Sequence, residues 1–175
     1  MISIEYFPIV DEAGNIIGKA TRTECHSGTF ILHPVVHLHI FNPTGELYLQ
    51  KRALNKDIQP GKWDTSVGGH VDFGEDIEMA LKRETYEELG IAGFTPQFIT
   101  RYKFVSKQEA ELVHSFYTVL DQKPSPDPIE ISEGKFWQPK DIEAQIGNNI
   151  FTPNFEQEWQ TIVRDIALTL CNKKD

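Results

Sequence analysis

The segment that most constrains this fold runs from Asp76 to Gly90 and reads DIEMALKRETYEELG. An aspartate ahead of the first apolar residue and a glycine behind the last are start and stop signals of a helix. At about 100° per residue, Ile77, Ala80 and Leu81 fall on the same arc as Glu84, Glu87 and Glu88. One stripe therefore begins apolar and ends in three carboxylates. Like charges four residues apart are mildly destabilising in an isolated helix, and a solvated acidic face is the ordinary outcome. A stripe that opens with Ile, Ala and Leu points into the protein instead. Inward carboxylates need something cationic opposite them, and hard divalent cations take oxygen ligands. The stripe is therefore expected to be a platform for such an ion.

The rest of the chain supplies a mixed-β frame. EYFPIV, the turn DEAGN and IIGKA read as an N-terminal hairpin within residues 1–28. LHPVVHLHIF alternates, with Pro34, Val36, Leu38 and Ile40 on one face and His33, Val35, His37, His39 and Phe41 on the other. NPTG turns into the strand ELYLQKRA, and residues 54–65 read as a polar loop. Strands recur at FITRYKFV, ELVHSFYTVL and KFWQP. Two helices close the chain within 139–175, one near DIEAQI and one from about Asn154 to Leu170. With no repeat and no long linker, 1–175 is expected to be a single α+β domain with helices packed on a mixed sheet.

Charge narrows the ligands. A net charge of −9 argues against affinity for a nucleic acid polymer or an anionic membrane. Two cysteines, Cys25 and Cys171, make no disulfide framework, and no apolar run reads as a signal peptide or membrane span, so a reducing cytoplasm is expected. An acidic protein that handles a phosphorylated ligand needs a basic pocket or a metal to offset its charge.

From Gly69 the chain reads GHVDFGEDIEMALKRETYEELGI, which resembles the Nudix box at Gly69, Glu75, Arg83, Glu84, Glu87, Glu88, Gly90 and Ile91. Thr85 departs from it, standing where a bulky aliphatic is usual, and is expected at the edge of the stripe. The resemblance implies an α/β/α sandwich with a loop–helix–loop, Mg²⁺ or Mn²⁺ as cofactor, and hydrolysis of a nucleoside diphosphate-linked or other organic diphosphate. It also implies that Glu84, Glu87 and Glu88, with Gly69, hold the metal and carry catalysis, and that Arg83 and Glu75 pair to orient the helix.

A second constellation joins His26, His33 and His70 with Glu109 and Glu111, a donor set suited to Mn²⁺, Zn²⁺ or Fe²⁺. Together with FNPTGELYLQKRAL, PGKW and the Gly-His pair at 69–70, it resembles type 1 isopentenyl diphosphate isomerase, itself a Nudix relative. That resemblance implies a second divalent metal on those five residues and diphosphate contacts from Arg22, Arg52, Lys56 and Arg83. His37 and His39, on the His33 face, and Trp63, in the PGKW loop, complete the expected substrate-binding set. The isomerase carries its catalytic cysteine where this chain has Gly68, and its C-terminal tryptophan maps to Asn154. Glycine cannot exchange a proton with carbon. The expected activity is therefore hydrolysis of a small-molecule diphosphate. Isomerisation and a non-catalytic sensor of nucleotides or diphosphates are the alternatives. Homodimers are common among the relatives that this resemblance implies.

Overall fold

The computed structural model describes residues 4–56 and 58–172. The outermost ends of the expected 1–28 and 139–175 segments, and Asp57 of the polar loop, lie outside them. Strands β1 (Tyr6–Val10) and β2 (Ile16–Thr21) form the N-terminal hairpin, its turn closed by Asn15 N–H donating to Asp11 Oδ1 at 2.8 Å. Helix α1 (Arg22–Cys25) follows under a capping box, in which Thr21 and Glu24 satisfy each other's backbone N–H groups.

The main sheet has seven strands: β3 (Leu32–Phe41), β4 (Leu47–Arg52), β5 (Trp63–Asp64), β6 (Val67–His70), β7 (Gln97–Val105), β8 (Ala110–Val119) and β9 (Ile131–Trp137). Strand β3 is its axis. It runs parallel to β8 along all ten residues, from Leu32 opposite Ala110 to Phe41 opposite Val119. On its other edge it pairs antiparallel with β6 from Val35 to Leu38. The sheet is mixed, as the order of elements implied. Strands β5 and β6 arise where the sequence reads as loop and turn. VGGH has little β-propensity, and ladder bonds to β3 hold it extended.

Helices cover both faces. Helix α2 (Ile77–Leu89) starts at Asp76, whose side chain accepts from Met79 N–H, and stops at Gly90 with φ +65°. Ala80, Leu81 and Leu89 pack with Val36, Leu38 and Ile40 of β3. On the opposite face, Phe41, Leu47 and Leu49 pack under α3 (Pro139–Gln145), α4 (Pro153–Glu158) and α5 (Arg164–Asn172). The last two are joined by a π-helical turn, Trp159–Val163, inside what the sequence reads as one helix.

The buried arc of α2 sits rotated from the expected stripe. Thr85 is fully buried with its hydroxyl donating to Leu81 O at 2.6 Å, so it belongs to the core rather than to the stripe's edge. Measured from Glu84, the inward residues Ala80, Ile77, Leu81, Thr85 and Leu89 span from about −40° to about 140°. Glu88, at about 40°, lies near the middle of that arc, and Glu84 lies inside it. Glu87, at about −60°, falls outside, and its side chain is 58% exposed. The expectation of three inward carboxylates is corrected to two.

Trp159 anchors the C-terminal layer. It is fully buried, and its indole N–H donates to Glu143 Oε1 at 2.7 Å. Replacing it with alanine is expected to lower stability by about 3–5 kcal/mol. Urea unfolding should show the drop as a lower midpoint at unchanged slope, because the rest of the core is untouched.

Candidate functional site

A cavity of about 900 Å³ opens between α1, β3, β6, the loop after β4, the connection from β7 to β8, and the start of α4. Basic side chains on its wall include the expected Arg22 from α1 and Arg52 and Lys56 from the end of β4 and the loop after it, with Lys107 beside them. Each of the expected three leans on one carboxylate: Arg22 Nη1 on Glu5 at 3.3 Å, Arg52 Nη1 on Asp64 at 3.4 Å, and Lys56 on Glu130. Arg52 Nε also donates to Ile58 O at 3.0 Å, and each cation keeps donors for an anionic ligand.

At one end of the cavity, His26, His33, His70 and Glu109 offer ligand atoms that all lie within 4.8 Å of one another. His26 Nε2 stands 3.1 Å from His70 Nε2 and 3.2 Å from Glu109 Oε2. His33 Nδ1 donates to Ile31 O at 2.8 Å, which fixes the tautomer and turns the Nε2 lone pair toward the group. That Nε2 and Glu109 Oε2 are buried without a hydrogen-bond partner among the described residues. Burial, then the neighbouring His33 and His26, hold His70 well below its ordinary pKa, and burial lowers His33 too. Three imidazoles and a carboxyl group whose ligand atoms converge in this way are a fitting donor set for a divalent ion. Glu111 stands beside them, opposite His33 in the β3–β8 register, on the cavity wall but outside the four-residue group. Burial, then Glu109, pushes its pKa up to about 8.

Phe7 positions this cluster and escaped sequence reasoning. Its ring is buried and stacks on His70 with centroids 4.4 Å apart and planes 3° from parallel. The alternation of β1, which turns Phe7 inward, is the only trace of it in the sequence.

The helix carboxylates approach the site from behind β6. Gly69 makes this approach feasible, because a Cβ there would collide with the Glu84 carboxylate. Glu88 accepts from Gln50 Nε2 at 2.9 Å and from the backbone N–H of Gly68. Burial raises both carboxyls, Glu88 to about 8 with Glu84 adding to the effect. Arg83 forks onto Glu75 at 2.9 and 2.8 Å, and also donates to His70 O, Glu84 and Glu87. All five of its N–H donors are thereby engaged within the loop and helix. It tethers the loop before α2 to the helix and does not line the cavity.

Two expected substrate contacts sit elsewhere. Trp63 is 6% exposed and packs edge-on against Trp137 at 5.2 Å in the C-terminal core. Its strand turns the ring into that core, so no face is open for stacking on a ligand. His39 is fully buried between Thr65 Oγ1 at 3.0 Å and Glu158 at 3.3 Å. His37 does reach the cavity, with Nδ1 2.7 Å from Glu158 Oε2. Glu158 went unrecognised in the sequence, where it reads as one more charge on a surface helix.

The NUDIX domain profile matches residues 31–155. The chain belongs to the Nudix family. It is 34% identical over 176 residues to isopentenyl-diphosphate Delta-isomerase 1 of Photorhabdus laumondii, covering 96% of this chain and all of that one. An uncharacterized Nudix hydrolase of Yersinia pestis is 31% identical over 86% of this chain and 81% of its own length. Among solved structures, a Deinococcus radiodurans protein superposes with a TM-score of 0.77 at 25% identity, covering 92% of this chain and 98% of its own. A MutT protein from Methanosarcina mazei shares the fold at a TM-score of 0.62 and 22% identity. The Nudix chain thus carries the family's helix and loop in a mixed α+β fold close to both isomerase-named and hydrolase-named relatives.

Glu88 yields a test of these electrostatics. Its folded-state pKa, about 8, lies above the ordinary 4.5. The folded state therefore binds the proton more tightly than the unfolded chain, and stability falls as pH rises from about 4.5 through 8. Glu88→Gln removes that loss, so in chelator-treated protein the variant should melt at or above the wild-type temperature at pH 8. The difference should shrink toward pH 5, as read by calorimetry.

Proposed function

We propose that this Nudix protein hydrolyses the diphosphate bond of a small organic diphosphate. The observation that carries the reading is the composition of the wall around Gly68. Basic side chains face a cavity whose floor strand is backed by two desolvated helix carboxylates, and no thiol lies among its lining residues.

Arg22, Arg52 and Lys56 are suited to take the charge of the diphosphate and fix its orientation. Glu84 and Glu88 would hold Mg²⁺ or Mn²⁺, and His26, His33, His70 and Glu109 would hold a second divalent ion. When bound, such ions offset phosphate charge and make a bound water more acidic. In the hydrolysis, the water oxygen bonds to phosphorus, the bridging P–O bond breaks with its electron pair on the leaving phosphate, and a site carboxylate takes the proton. Arg83, saturated by Glu75 and the helix, keeps α2 in register with the loop that precedes it. This reading is of a cytoplasmic enzyme. Among the described residues, no helix is long and apolar enough to cross a membrane.

Isomerisation is the second reading, favoured by the name of the Photorhabdus relative. It requires a group beside the Gly68 position able to exchange a proton with carbon. Cys25 is fully buried, with burial pushing its thiol up to about 11, and Cys171 rests against Thr44 and Gly45 away from the cavity.

A panel of nucleoside diphosphates, diphosphate-linked sugars and isoprenoid diphosphates, assayed for release of phosphate or of phosphomonoesters with Mg²⁺ or Mn²⁺, tests the proposal. At least one should be turned over, and Glu84→Gln or Glu88→Gln should cut kcat by about a hundredfold or more while the protein stays folded. Full activity in both variants, or deuterium exchange into isopentenyl diphosphate without hydrolysis, would overturn it.

The metal assignment has its own measurement. Zn²⁺ added to chelator-treated protein should raise the melting temperature, and His33→Ala should cut the rise sharply. An undiminished rise in the variant would place the ion elsewhere.

A further inference from the structure

Part of the cavity wall is polar in a way the diphosphate and metal sites leave unexplained. Beside Gly68, an ideal Cβ would stand only 3.6 Å from His37 Cδ2 and 3.7 Å from His37 Nε2, with Thr65 Cγ2 at 3.7 Å. A side chain at that position would cover this edge of the imidazole. Glycine leaves it open to the cavity, which both residues line. The ring is fixed from behind, because Nδ1 lies 2.7 Å from Oε2 of Glu158, a carboxylate only 1% exposed. Burial alone would favour neutral groups here. The close contact reverses that, holding His37 protonated up to about 9 and Glu158 well below the usual carboxylate range. Both ring nitrogens of His37 are then donors, one spent on Glu158 and one facing the cavity.

Asn154 repeats the arrangement on α4. It is 9% exposed and lines the same cavity, and its Oδ1 accepts from the Tyr102 hydroxyl at 2.5 Å. One lone pair of that oxygen is thereby engaged, which orients the amide and leaves its N–H groups to offer to a ligand. Neither device reads as a stabilising core feature. A buried ion pair is seldom more stable than apolar residues of the same volume, and Glu158 is held among His37, His39 and Tyr102 rather than in apolar packing. The π-helical turn also begins at Trp159, immediately after Glu158. Such turns commonly mark positions where a helix is bent to serve a site.

We infer that His37, oriented by Glu158, and Asn154, oriented by Tyr102, form a donor subsite that binds oxygen atoms on the organic part of the substrate. The enzyme therefore selects diphosphates of hydroxyl- or carbonyl-bearing groups over those of hydrocarbon chains. A hydrocarbon chain there would desolvate both donors with no acceptor in return. A site built to hydrogen-bond a substrate rejects the analogue that lacks the partner far more strongly than an apolar pocket rejects an added group. His37 and Asn154 would be specificity-determining contacts, with Glu158 and Tyr102 as positioning residues.

The inference rests on the cavity being the diphosphate site, so its test reads binding separately from turnover. Calorimetric titration of the full chain would use ADP-ribose, ADP, isopentenyl diphosphate, geranyl diphosphate and inorganic pyrophosphate. ADP-ribose and ADP should bind at least about tenfold more tightly than the two isoprenoid diphosphates. Asn154→Leu should erase about tenfold of that preference and leave pyrophosphate affinity unchanged. His37→Gln, which keeps a donor and avoids stranding Glu158 beside an apolar group, should lose less than His37→Leu. Binding preference without hydrolysis of any member would sink the hydrolase reading and leave this subsite standing. Equal or tighter binding of the isoprenoid diphosphates would overturn the subsite. So would an equal loss of affinity for pyrophosphate in Asn154→Leu, because the contact would then be to the diphosphate itself.

Discussion

The parallel ladder between β3 and β8 is the constraint on which the rest depends. A parallel pair at the centre of a sheet needs cover on both faces, and β3 is accordingly buried along nearly its whole length. With period-two alternation, Val36, Leu38 and Ile40 are committed to the α2 face, and His33, Val35, His37 and His39 to the other. The ten-residue register also sets Glu111 beside His33. A slip of one residue would exchange the two faces, sending imidazoles into the apolar layer under α2 and Val36 to the cavity. The geometry of the candidate site is thus a by-product of a register that the core enforces.

Strand β6 joins the two faces. At Gly68 and Gly69 the layer between them thins to bare backbone, so groups approach from both sides. Glu84 presses against Gly69 and Glu88 accepts from Gly68 N–H on the helix side, while His37 faces the gap at Gly68 on the cavity side. The two glycines matter for different reasons. Gly69 is required because any Cβ there would strike a carboxylate. At Gly68 a Cβ would meet only ordinary contacts, so its absence is chemical rather than steric. The fold would accept a side chain at that position, and this chain leaves the space open to the cavity.

Much of this was legible in the sequence because it is local. The stripe of α2, its Asp76 and Gly90 caps, the hairpin and the alternation of β3 each follow from a few neighbouring residues, and the structure carries them. The histidine group could be read from residue type and spacing, and four of its five members converge within 4.8 Å. What stayed hidden depends on distant partners. Strand β6 is extended only because β3 pairs with it. Glu87 turns outward because Thr85 and Leu89 extend the buried arc on the side away from it, which moves the centre of the arc from Glu84 to Glu88. Trp63 looked like a loop residue able to stack on a ligand until β5 and the Trp137 contact placed it in the core. Glu158 lies 121 residues from His37, and no periodicity announces that pairing.

The same long-range contacts show how a chain of net charge −9 can present basic side chains on its cavity wall. Carboxylates near the cavity are either desolvated and pushed toward neutrality, as at Glu88 and Glu111, or tied to a cation, as at Glu75, Glu130 and Glu158. The cations on the wall are only partly engaged, whereas Arg83 in the scaffold is saturated. Local field is therefore set by which charges are free rather than by the total. A neutralised carboxyl is a stable resting state only until a cation arrives. A divalent ion would restore the charge on Glu84 and Glu88, and the proton released would couple ion binding to pH. On this argument the desolvated helix carboxylates are destabilising features of the metal-free chain, kept because their cost is relieved by the ion they are placed to bind.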